Sequence, residues 1–239
     1  MLEFFQTLNW AAVFQIIMID LLLGGDNAVV IALACRNLEP AKRVQGILWG
    51  TAGAIALRVV LVAFALEILD IPFLKLIGGV LLLWIGVRLM LPDENAHDVR
   101  AGASIAAAVR TIIVADFVMS LDNVIAISAA AESAHPAHQV GLVAFGLLAS
   151  IPIIVWGSTL VLGLIDRFPV VITLGALLLG WIAGGMMLND SFLITRIGEA
   201  PEAVKIAVEI CGAMLVVLLG RWLARCRDVV SKDAHHEST

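Results

Sequence analysis

The sequence has few charged residues for its length, and this scarcity excludes an ordinary soluble domain. Of the 239 residues, 15% are charged, against roughly 25% in soluble proteins. Apolar residues make up 61%, and the mean hydropathy is +1.02. We therefore expect an integral membrane protein with no separate soluble domain. The formal net charge of −5 says little about a partner, because loops and buried sites contribute to it separately.

Cysteine is also scarce, and the first residues lack a secretory signal. Cys35, Cys211 and Cys226 are far apart and show no CxxC spacing, so neither a disulfide framework nor a zinc site is predicted. The opening residues, Met-Leu-Glu-Phe-Phe, lack the basic region of a cleavable signal. We therefore expect the first apolar stretch to remain as a helix.

Seven stretches are long and apolar enough to span a bilayer, which takes about 20 residues at a rise of 1.5 Å each. The predicted spans are residues 8–35, 44–66, 72–91, 104–131, 139–164, 168–188 and 202–224, with a polar C-terminal tail at 228–239. The predicted fold class is an all-α polytopic membrane protein that forms one transmembrane domain over residues 1–239. His235 and His236 are expected to lie in a disordered tail, with metal binding as the alternative.

The basic residues favour one orientation, because cytoplasmic loops carry an excess of Lys and Arg. With the N-terminus outside, ten of them fall on the cytoplasmic side and three outside. The ten are Arg36, Lys42, Arg43, Arg88, Arg100, Arg167, Arg221, Arg225, Arg227 and Lys232, and the three are Lys75, Arg196 and Lys205. We therefore predict an external N-terminus and a cytoplasmic C-terminus.

The chain repeats itself. Residues 20–27, DLLLGGDN, recur 96 residues later as residues 116–123, DFVMSLDN, and GGVLLLWI at 78–85 is echoed by GALLLGWI at 175–182. Because each unit has an odd number of spans, the pattern predicts an inverted repeat of three plus three helices with one C-terminal helix added. Substrate sites of such folds lie near the bilayer midplane, where the repeats meet. The predicted bounds are about 8–91 for repeat 1, about 104–188 for repeat 2 and about 202–224 for the extra helix.

Both motifs carry carboxylates to the expected centre of the bilayer. Asp20 and Asp116 each lie about twelve residues into their span. Residues seven apart share a helix face, which places Asp20 with Asn27 and Asp116 with Asn123. Both pairs are therefore expected to face the interior of the protein.

The second aspartate of each motif, Asp26 or Asp122, points about 100° away from its Asn neighbour unless the helix is interrupted. Gly24 and Gly25 allow an interruption in the first motif, and Ser120 can hydrogen-bond locally in the second. An unwound segment would also free backbone carbonyls as ligands.

Four aspartates at helix centres would cost on the order of 10–14 kcal/mol if left unpaired. Arg58, inside the second span, is the predicted charge compensation. It either pairs with an aspartate or acts as an internal cation at the site, and its alternative role is packing against a carbonyl or Glu67. One arginine cannot neutralise four carboxylates, so we expect an extra proton in the metal-free site and proton-coupled transport. The alternative to a transport role is that these aspartates are protonated or hydrogen-bonded and hold neighbouring helices together.

The motifs offer carboxylate and amide oxygens but no His or Cys, which favours hard divalent cations such as Mg²⁺, Ca²⁺ or Mn²⁺. The predicted metal ligands are Asp20, Asp26, Asn27, Asp116, Asp122 and Asn123. Met119 and Ser120 are weaker candidates. The thioether of Met119 would favour a transition metal, but its counterpart is Leu23, and packing is its ordinary role.

The paired Asp-x5-Asp-Asn motifs, the seven predicted spans and the repeat resemble the TerC family of integral membrane proteins, including its small stand-alone bacterial members. The resemblance covers all but about the last dozen residues. It implies a bacterial inner-membrane location and divalent metal efflux, chiefly of manganese, although some members are linked to loading metal onto exported proteins. The family name derives from tellurium-resistance clusters. Carried over by position, the family's acidic membrane residues correspond to Asp20, Asp26, Asn27, Asp116, Asp122 and Asn123.

Three functions remain open from the sequence. The first is a secondary transporter that exports a divalent cation by proton exchange, driven by an ion gradient because no P-loop is present. The second is a membrane partner that senses or delivers metal without transport. The third is an intramembrane aspartyl protease, although Gly24-Gly25-Asp26 lacks the first Gly of Gly-x-Gly-Asp. We expect no enzyme activity, no prosthetic cofactor and no nucleic-acid partner.

Overall fold

The structure is a computed structural model that describes residues 10–23, 25–64, 68, 71–91, 104–132 and 139–236. Within those ranges the chain forms nine helices and no strand. The helices are α1 (Trp10–Leu23), α2 (Gly25–Cys35), α3 (Pro40–Ala63), α4 (Leu74–Met90), α5 (Ile105–Glu132), α6 (Gln139–Arg167), α7 (Val170–Leu188), α8 (Ser191–Ile197) and α9 (Glu202–His236).

Four helices are individually long and apolar enough to cross a membrane. They are α3, α7 and the segments Val143–Arg167 of α6 and Glu202–Cys226 of α9. A fifth candidate is the bent pair of α1 and α2, whose axes are inclined at 55°. The prediction of an all-helical integral membrane protein is therefore confirmed for the described residues.

The other two predicted spans correspond to α4 and α5. Helix α4 has 17 residues and covers about 25 Å, less than the hydrocarbon thickness of about 30 Å. Helix α5 has 28 residues but carries Arg110, Asp116 and Asp122 within its apolar sequence. The count of seven spans therefore stays a prediction.

Two features of the C-terminal part differ from the sequence prediction. Helix α8 was not predicted; it is seven residues long, begins after Asp190 and ends before Gly198, whose φ is 82°. Helix α9 continues to His236, beyond the end near residue 224 that was expected for the last span. The polar tail at 228–239 stays a prediction, and residues 237–239 lie outside the described residues. No Pro or Gly lies between Arg221 and His236, so no residue there terminates the helix.

The outer surface is apolar and the interior contains polar groups. Phe14, Leu22, Trp49, Trp156 and Trp222 are between 61% and 75% exposed. The buried polar side chains of the described residues are Asp20, Asn27, Thr51, Arg58, Asp116, Ser120, Asn123, Ser150, Ser158 and Asp190. Soluble proteins show the opposite distribution, so this one is typical of a chain surrounded by lipid.

The chain divides into two compact units. The first contains Met1–Ile71 and Ser104–Gly163, and the second contains Pro72–Ala103 and Leu164–Thr239. The first unit therefore holds the first two predicted spans of each repeat. The second unit holds the third predicted span of each repeat together with α8 and α9.

The second unit is built on close helix contacts through glycine. A Cβ added at Gly180 of α7 would lie 2.5 Å from the carbonyl oxygen of Gly212 in α9. One turn later, a Cβ at Gly184 would lie 2.7 Å from the carbonyl oxygen of Val208. Small residues spaced in this way let two helix backbones approach closely in a membrane protein.

Asp190 holds together two helix starts in the second unit. Its buried carboxylate accepts a hydrogen bond at 2.9 Å from the backbone N–H of Phe192 in α8. It also accepts hydrogen bonds at 3.1–3.2 Å from the backbone N–H groups of Phe73, Lys75 and Leu76 at the start of α4. One side chain thus satisfies four donors that the first turns of two helices leave without helical partners.

We expect Asp190→Ala to destabilise the protein by about 1–3 kcal/mol, because loss of one N-cap carboxylate costs about 0.5–2 kcal/mol per helix. Asp190→Asn keeps an acceptor oxygen and should cost less. The measurement is the thermal unfolding midpoint of the purified protein in detergent, with the exposed Glu199→Ala as control. Equal midpoints for Asp190→Ala and the control would contradict this role.

Candidate metal-ion site

A buried arginine joins two of the predicted aspartates inside the first unit. Arg58 of α3 is 2% exposed, and its Nη1 donates a hydrogen bond to Oδ1 of Asp20. Its Nη2 donates to Oδ1 of Asp116 at 2.5 Å, and its Nε donates to Oγ of Ser120 at 2.9 Å. One guanidinium therefore connects α1 and α5 through two ion pairs.

Two serine hydroxyls complete the hydrogen bonding of both carboxylates. Ser150 of α6 donates to Oδ2 of Asp20 at 2.5 Å, and Ser120 donates to Oδ2 of Asp116 at 3.1 Å. Each oxygen of Asp20 and Asp116 thus accepts a hydrogen bond. Two carboxylates and one guanidinium give these groups a formal charge of −1. We call Asp20, Arg58, Asp116, Ser120 and Ser150 the central cluster.

The local sequence explains how the central cluster forms. Ser120 follows Asp116 by one helical turn, so both side chains lie on the same face of α5. The arginine has a planar fork of donors, which lets it bind two carboxylates and a hydroxyl at once. Burial of these charges in an apolar medium is costly unless they are paired, so the ion pairs determine how α1, α3 and α5 align.

Corresponding residues make the helix contacts beside the central cluster. A Cβ added at Gly50 of α3 would lie 3.2 Å from Cβ of Ile112 in α5, and one at Gly146 of α6 would lie 3.1 Å from Cβ of Ile16 in α1. Gly146 and Ile112 follow Gly50 and Ile16 by 96 residues, the spacing of the two motifs. The same glycine–isoleucine contact is therefore made twice. Gly50 near the first motif contacts Ile112 near the second, and Gly146 near the second contacts Ile16 near the first.

The two repeats differ in the groups that they contribute to the central cluster. At the same spacing of 96 residues, Arg58 corresponds to Ile154 and Ser150 corresponds to Ala54. The first repeat thus supplies the guanidinium, and the second supplies the serine of α6. The two aspartates of the recurring motif both pair with Arg58, and these two differences make the site around them asymmetric.

The second aspartate of each motif lies outside the central cluster. Asp26 is partly buried at the start of α2, whereas Asp122 is exposed on α5. Asp122 follows Asp116 by six residues, which on a straight helix is about 120° around the axis and about 9 Å along it. Among the described residues, no three carboxylate, imidazole or thiol groups converge on one point. A metal site shared by all four aspartates stays a prediction.

The other predicted ligands are mostly buried near the two motifs. Asn27, Asn123 and Met119 are 4%, 6% and 7% exposed. Helix α5 continues without interruption through the second motif, whereas the first motif is divided between α1 and α2. Gly24, the residue at that division, lies outside the described residues, as does Glu67, the alternative partner considered for Arg58.

Sequence reasoning missed Ser150. It lies 130 residues from Asp20, and an isolated hydroxyl in an apolar helix produces no periodic pattern. The available signal was its position two residues before Pro152 in the middle of a predicted span. A polar residue and a proline at that depth indicate a helix that faces other protein groups.

An apolar exterior, an all-helical fold and buried ion pairs define a polytopic integral membrane protein with an internal ionic site. The model of the Integral membrane protein TerC family matches residues 5–228. The chain therefore belongs to the TerC family.

Several bacterial proteins are similar in sequence. The uncharacterized membrane protein YjbE of Bacillus subtilis strain 168 is 42% identical over 178 residues, which cover 74% of this chain and 79% of YjbE. The uncharacterized membrane protein YceF of the same strain is 23% identical over 185 residues, covering 73% and 70%. The UPF0053 protein YegH of Escherichia coli K12 is 31% identical over 138 residues, covering 48% of this chain and 26% of YegH. No solved structure matches the chain.

We expect Arg58→Met to destabilise the protein by about 3–5 kcal/mol, because it leaves two buried carboxylates without their cation. The measurement is the unfolding midpoint in detergent. The control is Arg110→Met, an arginine that is exposed on α5 and should change stability by less than about 0.5 kcal/mol.

A triple variant tests whether the unpaired carboxylates cause the loss of stability in Arg58→Met. Combining Arg58→Met with Asp20→Asn and Asp116→Asn removes all three charges and should recover part of the lost stability. If Arg58→Met unfolds at the midpoint of the Arg110→Met control, the ion pairs do not hold the first unit together.

Proposed function

We propose that this TerC-family protein is a secondary transporter that exports a divalent cation, with Mn²⁺ as the favoured substrate, from the cytoplasm. The central cluster carries the proposal. It places two carboxylates from different helices inside an apolar protein, with a side-chain cation between them. Ionisable residues within membrane segments are costly and mark ion pathways. The proposed activity is transport without a catalytic step.

Arg58 is proposed to neutralise the aspartates when no metal is bound. With Arg58 in place, Asp20 and Asp116 have a combined formal charge of −1. A divalent cation that replaced the guanidinium would bring this charge to zero. The long side chain of arginine can move without a change in the helices. Arg58 would release both carboxylates when the metal binds and would pair with them again when the metal leaves.

The preference for Mn²⁺ rests on the donor atoms. The motifs supply carboxylate, amide and hydroxyl oxygens, which suit Mg²⁺, Ca²⁺ and Mn²⁺. Met119 is buried three residues after Asp116. A thioether at that position would favour a transition metal over Ca²⁺ or Mg²⁺, and Mn²⁺ is the transition metal among the three cations that suit oxygen donors.

The proposed topology has seven spans in an inverted repeat, in the inner membrane of a bacterium. The paired glycine–isoleucine contacts of Gly50 and Gly146 support the repeat, and the distribution of basic residues supports an external N-terminus and a cytoplasmic C-terminus. The proposed driving force is proton exchange. Protons would enter as the metal leaves, because an ion gradient is the available energy source for a chain without a P-loop.

Two other activities make different predictions. A metal-delivery partner would bind the ion and leave its transmembrane flux unchanged. An aspartyl protease needs two carboxylates that share a proton and activate water. The guanidinium of Arg58 lies between Asp20 and Asp116, and this arrangement does not suit such a pair.

We expect Asp20→Asn and Asp116→Asn each to reduce Mn²⁺ flux into proteoliposomes by at least about tenfold, because each removes an anionic ligand. The control is Asp166→Asn, an exposed aspartate in the last turn of α6. Flux of Mn²⁺, Ca²⁺ and Mg²⁺ is measured in parallel, with a pH-sensitive dye inside the vesicles. Proton exchange predicts a lumenal pH change that both central variants abolish.

Each alternative gives a distinct result in this assay. Mn²⁺ binding without flux would replace transport by metal delivery or sensing. Flux at a constant lumenal pH would retain transport and exclude proton exchange. Unchanged flux in Asp20→Asn and Asp116→Asn would remove the central cluster from the ion pathway.

A further inference from the structure

Several buried oxygen atoms of the first unit lack a hydrogen-bond partner among the described residues. They are Oδ1 of Asp26, Oδ1 of Asn27, Oγ1 of Thr51 and Oγ of Ser158. Asn27, Thr51 and Ser158 are 4%, 1% and 0% exposed. A buried polar atom without a partner costs about 1–3 kcal/mol, so four of them in one unit require an explanation.

The two hydroxyls differ from the exposed threonines of the same chain. Thr111, Thr159 and Thr195 each donate a hydrogen bond of 2.7–2.9 Å to the carbonyl oxygen four residues earlier in their helix. Thr51 and Ser158 also lie inside helices, where that bond is available, and they do not form it. Their hydroxyls are therefore free to interact with a group outside their own helices.

The packing of α6 brings the helical turn that contains Ser158 to the level of Ala28, the residue after Asn27. Ser150 donates to Asp20, and a Cβ at Gly157 would lie 3.7 Å from Cβ of Ala28. Helix α6 thus runs along α1 and α2 in the same direction. Ser158 follows Ser150 by eight residues, which is about 12 Å along α6 from the central cluster, and Asn27 directly precedes Ala28, the residue that Gly157 approaches.

The packing of α3 places Thr51 at the same level. Arg58 pairs with Asp20, and a Cβ at Gly46 would lie 3.0 Å from Sγ of Cys35. Helix α3 therefore runs antiparallel to α1 and α2 between these two contacts. Thr51 precedes Arg58 by seven residues, which is about 10 Å along α3, so it lies at a level between Asp20 and Cys35, the segment that contains Asn27.

The second motif has no equivalent pair of hydroxyls. At the repeat spacing of 96 residues, Thr51 corresponds to Leu147 and Ser158 corresponds to Val62. The unpartnered oxygens are therefore confined to the side of the central cluster where α2 begins. Repeat symmetry does not explain them, so they are specific to this end of the site.

We propose that Asp26, Asn27, Thr51 and Ser158 form a second cation site, about 10 Å from Arg58, that holds the divalent ion while Arg58 occupies the central cluster. This proposal rests on the transport function proposed above and adds Thr51 and Ser158 as ligands. One carboxylate with amide and hydroxyl oxygens is a donor set for a hard divalent cation. The ion would reach Asp20 and Asp116 from this second site.

The test is Mn²⁺ binding to the purified protein in detergent, followed by the electron paramagnetic resonance signal of free Mn²⁺. Thr51→Val and Ser158→Ala each remove one hydroxyl, and the double variant should weaken Mn²⁺ binding by at least about tenfold. The matched controls, Thr111→Val and Thr159→Val, remove hydroxyls already bonded to their own helices and should bind like the wild type.

Thermal unfolding separates metal binding from a structural role. Removal of unpartnered buried hydroxyls should leave the metal-free midpoint unchanged or raised, whereas the increase caused by Mn²⁺ should shrink. A double variant that binds Mn²⁺ like the controls would overturn the second site. If Asp20→Asn still weakened binding, the proposed transport function would survive that result. A wild-type protein that binds no Mn²⁺ would refute both proposals.

Discussion

The ion pairs of Arg58 with Asp20 and Asp116 are the interaction on which the first unit depends. These groups come from three helices, and each is costly to bury alone in an apolar medium. Pairing fixes the axial register of α1, α3 and α5, and the bond from Ser150 adds α6 to the same arrangement. The central cluster therefore sets the relative axial positions of four helices in this unit.

The same constraint gives the site its chemical asymmetry. The recurring motif supplies two equivalent aspartates, but a site with the same residues from both motifs and their neighbouring helices would have either two arginines or none. Ile154 at the position equivalent to Arg58 leaves a single guanidinium, whose one charge does not balance two carboxylates. The remaining negative charge and the unpartnered oxygens near Asn27 both favour a cation as the missing partner.

The sequence predicted some features of the molecule better than others. The recurring DLLLGGDN and DFVMSLDN segments identified Asp20 and Asp116, because charge within an apolar repeat is a strong local signal. Ser150 gave no such signal, since its partner Asp20 lies 130 residues away. Thr51 and Ser158 are isolated hydroxyls in apolar helices and produce no pattern either. Helix α8 was not predicted because it depends on the hydrogen bond from its first turn to the capping residue Asp190. The extension of α9 to His236 was not predicted because it lies beyond the apolar pattern that defined the span.

The proposed function requires a divalent cation to bind among the carboxylates of the first unit. Anomalous scattering from crystals grown with Mn²⁺, measured above and below the manganese absorption edge, locates the ion directly. We expect a manganese peak inside the first unit, either between Asp20 and Asp116 with Arg58 displaced or beside Asp26 and Asn27 with Arg58 in place. Manganese peaks confined to surface carboxylates, in protein shown to transport Mn²⁺, would contradict it.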